Sequence, residues 1–150
     1  MQDVSLTFYN ISGMFNDNGE IRGSFEYDSG TSEYTNINIT TTSGDVPFGA
    51  TYEATSIFGS DNGFLIYDDT FTFFLDILFE GSGLVGEPAS VGLRSDTQED
   101  NFDTEEFRTI TTGSVTAATA IPFEFSPSLG LLLLLTTFGV QQGWKNRRNG

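Results

Sequence analysis

Residues 70–80 read TFTFFLDILFE, and this run decides the fold class. Phe71, Phe73, Leu75, Ile77 and Phe79 take every second position, with Thr72, Asp76 and Glu80 between them. A period of two over this length describes a half-buried β-strand, because a helix would scatter those side chains around its axis. Phe74 and Leu78, on the opposite face, predict partial cover there as well.

The same period repeats on both sides of this run. Upstream, Val4, Leu6 and Phe8 alternate with Ser5, Thr7 and Tyr9. Asn16-Asp17-Asn18-Gly19 is a hairpin signal, since these residues tolerate positive φ. Ile21, Gly23, Phe25 and Tyr27 share the face of a second strand, and Asp28-Ser29-Gly30-Thr31 turns the chain. Residues 34–42 (YTNINITTT) are rich in β-branched side chains, with Ile37 and Ile39 on one face. Residues 51–58 and 64–67 read as further strands. Downstream, 81–88 is a loop, 89–94 a short strand, 95–106 (SDTQEDNFDTEE) an acidic loop, and 107–118 a last strand, with Gly113 as a bulge or bend. Seven or eight short strands at this spacing, with no helical period, predict an all-β fold: an antiparallel β-sandwich or jelly-roll-like domain over residues 1–120.

Composition agrees with one such domain. The chain has 150 residues, 37% hydrophobic, with 15 Phe, 5 Tyr and 17 Gly. Cys and His are both absent. That excludes a disulfide framework, thiolate metal sites and the imidazole base of hydrolytic triads. Residues 1–120 hold three basic side chains (Arg22, Arg94 and Arg108) against 20 acidic ones, all the acids but Glu124, a net of −17. Such a surface repels phosphate backbones, so nucleic acid is excluded as a partner. The chain reads as non-catalytic.

From residue 121 the character changes to IPFEFSPSLGLLLLLTTFGVQQGWKNRRNG. Leu129, Leu131, Leu132, Leu133, Leu134, Leu135, Phe138 and Val140 make an apolar run. The uncharged stretch 126–144 has 19 residues. As a helix it would be about 28 Å long, close to the roughly 30 Å of a bilayer core. Trp144 suits the interface, and Lys145, Arg147 and Arg148 mark the cytoplasmic side. A buried core helix is the alternative, and Gln141 and Gln142 weaken a span. The order of apolar helix, Trp, basic cluster and chain end nevertheless predicts a single C-terminal transmembrane helix, with the acidic domain outside.

With Pro122-Phe123-Glu124 ahead of that helix, residues 121–150 resemble the PEP-CTERM class of bacterial sorting tails, in a Pro-Phe-Glu variant. The stretch GSFEYDSGTSEYTNINITTT (23–42) resembles segments that recur in proteins bearing such tails. The resemblance implies recognition and processing by a membrane-embedded exosortase. It implies a location in the cell envelope, anchored by the tail or released to the cell surface or extracellular polysaccharide matrix. It also implies an export signal, and Met1-Gln2-Asp3-Val4 shows neither basic n-region nor apolar h-region, so that signal is expected upstream. The departure from Pro-Glu-Pro leaves the processing enzyme open.

Two narrower readings concern ligands. Asp96, Glu99, Asp100 and Asp103 are calcium candidates, because Ca²⁺ takes carboxylate oxygens from acidic loops. No EF-hand frame is present, and no other cofactor is implied. A carbohydrate-binding module is the other reading, with Tyr9, Tyr34, Tyr52 and Phe74, off or at the edge of the clearest apolar faces, as stacking candidates.

Overall fold

A computed structural model describes residues 6–53 and 58–118. Ten strands follow in chain order: β1 (Leu6–Phe15), β2 (Glu20–Asp28), β3 (Glu33–Thr41), β4 (Thr51–Tyr52), β5 (Phe58–Ser60), β6 (Gly63–Tyr67), β7 (Phe73–Leu78), β8 (Ser90–Gly92), β9 (Gln98–Asn101) and β10 (Glu106–Ala117). No helix occurs among the described residues, and so none there is long and apolar enough to cross a membrane. The predicted sorting motif (Pro122, Phe123, Glu124), the apolar run, Trp144 and the basic cluster lie outside the described residues.

The strands form one curled, all-antiparallel sheet in the order β4-β3-β2-β1-β10-β9-β7-β6-β5, with β8 also paired to β10. The curl brings its two halves face to face, sandwich-like, over a single core. The hinge between the halves is β10. Its first residues pair with β9 (Glu106↔Asn101 to Thr109↔Gln98), and its remainder pairs with β1 and β8. Thr111 is an extra residue here, because Met14 opposes Thr112 while Phe15 opposes Ile110. A bulge of this kind bends the strand and raises its twist. The bend is therefore at Thr111 and not at Gly113. Gly113 pairs squarely with Gly13 and leaves room for Leu93, since a Cβ there would lie 2.7 Å from Leu93 Cδ1.

Phe25 is the centre of the core. Its ring stacks on Tyr9 (5.6 Å), meets Phe64 edge-on (5.2 Å) and also touches Tyr34 and Phe79. Alternation puts Phe64 and Ile66 of β6, and Leu75 and Ile77 of β7, on the same buried face. The parity of β1 is the reverse of the expected one. Tyr9 and Ile11 are buried, while Leu6 is 60% and Phe8 41% exposed.

Polar side chains close the two ends of the seam between the halves. At one end, Tyr27 and Ser32 donate to Asp61, and Tyr34 donates to the Ser60 carbonyl. The bond from Ser32, and then that from Tyr27, hold the Asp61 carboxyl below its usual range. Burial, and then the bond to Asp61, push the Tyr27 hydroxyl up to about 12.

At the other end is a buried ion cluster. Arg108, 1% exposed, donates from Nε to Glu99 Oε2 (2.7 Å) and from Nη1 to both Asp17 oxygens (3.1 and 3.2 Å) and the Thr42 carbonyl (2.8 Å). Its Nη2 lies 2.5 Å from the same Glu99 oxygen, too poorly angled for a hydrogen bond, and so is a purely ionic contact. Glu99 Oε1 accepts from Thr41 and Tyr52, each at 2.6 Å. The guanidinium also sits 4.1 Å from the Phe15 ring centre and 5.0 Å from that of Phe48.

Candidate functional site

The inward alternation that builds the core sends the intervening side chains of β6, β7, β9 and β10 outward. Register aligns them into rows. Tyr67 opposes Phe74, Phe74 opposes Asp100, and Asp100 opposes Phe107. The next row is Leu65, Asp76, Gln98 and Thr109. Neither row contains a lysine or arginine.

Two further rings join the first row. Phe102, just past β9, lies 4.9 Å from Phe74 and 5.8 Å from Tyr67, the latter at an interplanar angle of 18°. Phe71 lies 5.8 Å from Tyr67. Phe71 is 68%, Phe102 50% and Phe107 63% exposed. A soluble surface seldom groups large aromatics this way without a use for them.

Phe71 is also held in a conformation that a bulky side chain avoids. Its φ is +57°, which costs about 1–3 kcal/mol and persists only where the surroundings impose it. Asp68 imposes it. Its carboxylate accepts from the backbone N–H of Thr72 and of Phe73, both at 2.9 Å, and from the Thr70 hydroxyl. The hairpin turn thus presents the Phe71 ring to solvent beside Tyr67. A groove of about 290 Å³ adjoins the second row and is lined by Phe58, Phe64, Leu65, Asp76 and Leu78 among others.

The carboxylates of these rows are partly withdrawn from water. Burial, and then Asp96, raise Asp76 above the usual carboxylate range. Burial raises Asp100 as well, with Asp76 and Glu99 adding to it and a hydrogen bond with Gln98 opposing. Asp100 Oδ2 is buried and has no hydrogen-bond partner among the described residues.

A raised folded-state pKa means that the folded state holds the proton more tightly than the unfolded state. The resulting penalty on folding is absent below the ordinary value of 3.8 and grows as pH rises from there through the folded pKa. Asp100→Asn should therefore melt higher than the parent at pH 7 and show no advantage at pH 3. Thermal melts of both proteins across this range check it. An equal shift at both ends would trace the effect to packing instead of charge.

The calcium candidates are spread apart. The expected acidic loop contains β9, an internal strand, so Glu99 and Asp100 point to opposite faces. Glu99 enters the core beside Arg108. Asp96 pairs with Arg94 at 2.6 Å on the surface, and Asp103 sits in an exposed turn. Among the described residues, no three acids converge as a metal would need.

Of the stacking candidates, Tyr9, Tyr34 and Tyr52 are fully buried core residues, and only Phe74 faces outward. Strict alternation misplaces Tyr34. An extra residue in β3, Asn36 at φ +49°, lets Tyr34 and Ile37 both point inward despite their odd spacing. Tyr52 is inward because it serves Glu99. Burial and that carboxylate push its hydroxyl well above the usual phenol range.

The comparisons with known proteins leave the site to its own geometry. No protein-family model, no curated protein and no solved structure matches this chain.

Proposed function

We propose that this chain is an exported, non-catalytic protein of the cell surface or extracellular matrix. In this reading a β-sandwich domain is followed by a single membrane-directed helix and delivered by a sorting tail that an exosortase-like enzyme processes. The observation that carries it is the order of features in residues 121–150. A Pro122-Phe123-Glu124 motif precedes a 19-residue uncharged stretch that closes on Trp144, and Lys145, Arg147 and Arg148 follow it. The net of −17 over residues 1–120 suits an outside-facing, soluble domain. The absence of His and Cys, with Lys145 as the sole lysine, supports a non-catalytic role.

The test is cell fractionation of the full chain and of a version ending at Ala120, both expressed behind a bacterial export signal. The full chain is expected with the membranes and the shortened one in the soluble exported fraction. Equal membrane association of the two would sink the tail as anchor.

The outer-face aromatics favour one of the two ligand readings. Tyr67 and Phe74, half-buried, and Phe71 and Phe102, exposed, supply the contiguous ring surface that a polysaccharide-binding module needs. The calcium-dependent alternative has no comparable cluster among the described residues.

A further inference from the structure

We infer that Tyr67, Phe71, Phe74 and Phe102, with Asp100 and Asp76 beside them, form a subsite for the flat C–H face of an uncharged, equatorially substituted pyranose chain, and that the site rejects polyanionic polysaccharides. This rests on the reading of the domain as a polysaccharide-binding module and names the chemistry of its ligand.

The ring spacing decides the mode of contact. Neighbouring centroids are 4.9 to 6.0 Å apart, so the rings already touch one another. No gap remains to admit a flat ring or an ammonium group between them. The rings are tilted against one another by 18° to 55°, so a ligand lies across their outward edges and faces together. The C–H face of a pyranose with equatorial substituents is apolar and slightly positive, and it meets the negative face of an aromatic ring favourably. Its hydroxyls project sideways from the same plane, where acceptors are useful.

The two rows carry acceptors and no charged donor, and Arg94, the cation nearest Asp76, is paired with Asp96. Asp100 lies in register between Phe74 and Phe107, and Asp76 in the next row. Asp100 is half-buried, and its carboxylate can accept from a sugar hydroxyl lying over the row. A polyanion would instead bring like charge to two carboxylates with no arginine or lysine in either row. The first row crosses four adjacent strands, about 14 Å, which accommodates roughly two to three sugar rings.

A protein partner fits less well. Protein interfaces bury dry, charge-poor centres. Here a partner would have to cover two half-buried carboxylates and supply cations for both. A hydroxyl-rich ligand satisfies them while leaving the rim wet.

The experiment uses the full chain in mild detergent and isothermal titration calorimetry with cellohexaose, chitohexaose and polygalacturonate. Both neutral or acetamido hexamers are candidate sources of the same ring face, and the two arms tell them apart. At least one should bind and polygalacturonate should not. Phe102→Ala and Phe71→Ala, both at exposed positions, should each weaken binding about tenfold without lowering the melting temperature appreciably. Binding that both variants leave unchanged would overturn this site while sparing the sugar-binding reading. Absence of binding to either hexamer at millimolar concentration would overturn both. Equal binding of polygalacturonate would overturn the charge selection. A concentration-dependent dimer that Phe102→Ala abolishes, with no sugar bound, would make a second copy the occupant and defeat the inference.

Discussion

Arg108→Ala is expected to lower stability by about 3–5 kcal/mol, a large share of the about 5–15 kcal/mol that holds a domain folded. The loss comes from what the substitution leaves behind. Glu99 is fully buried and would keep two hydroxyl donors, Thr41 and Tyr52, but lose its only cation. Asp17, 8% exposed, would lose its cation as well, keeping the Gly19 amide. The Thr42 carbonyl would lose its donor. The void would also strip the facing rings of Phe15 and Phe48 of their filler. A buried charge without a partner is the expensive outcome, far more than the pair is worth when intact. Removing both charges together should therefore be gentler. Arg108→Met combined with Glu99→Leu should recover part of the loss, although Asp17 still lacks its cation and the Thr41 and Tyr52 hydroxyls lack their acceptor. Urea unfolding of parent, single and double variants measures this. A double variant no better than Arg108→Ala would show that the cluster's geometry, and not its charge balance, holds this end of the sheet.

Phe25→Ala should cost a similar amount, about 3–5 kcal/mol, by a different route. Phe25 is fully buried, and its ring contacts Tyr9, Tyr34, Phe64 and Phe79. These four come from both halves of the curled sheet, on β1, β3, β6 and just past β7. Truncation removes the apolar area and leaves a cavity that the rigid neighbours cannot collapse into. The aromatic pairs add about 0.5–1.5 kcal/mol each beyond area. Phe102→Ala removes the same side chain from a half-exposed position and should stay within about 1 kcal/mol of the parent. A Phe25→Ala loss no larger than that of Phe102→Ala would mean that the two halves are not joined through this ring.

Period-two patterns make most of the strands legible in the sequence alone. Residues 21–27, 34–42, 64–67 and 107–118 are strands close to where alternation puts them. What alternation does not show is where it slips. One extra residue at Asn36 moves Tyr34 from the apparent outside to the core, and one at Thr111 puts the bend of β10 two residues from the glycine that suggests it. Such slips depend on pairing partners distant in sequence, which a local pattern does not contain. The acidic composition of residues 95–106 hides β9 in the same way, because Glu99 behaves as a core residue only once Arg108 is opposite it. The sequence does hold one hint. Arg108 is one of three basic residues before position 121, and it shares strand parity with Ile110. The aromatic row is legible only in pieces. Phe74 stands out, but Tyr67, Phe102 and Phe107 come from three other segments, and register alone lines them up.

The strand that bends between the two halves also has a mechanical side. The aromatic row reaches β10 at Phe107, near its start, and the chain leaves β10 after Ala117, towards the tail. If a polysaccharide grips the row at Phe107 and the tail grips the envelope, tension enters and leaves at opposite ends of one strand. The rows of hydrogen bonds to β1 and β9 then lie across the pull, loaded side by side. They must yield together in shear instead of peeling one by one, and resistance to forced unfolding is set by the rate of that event. An attachment through β5, at the sheet's edge, would unzip instead. The bent strand would thus serve as the domain's tether.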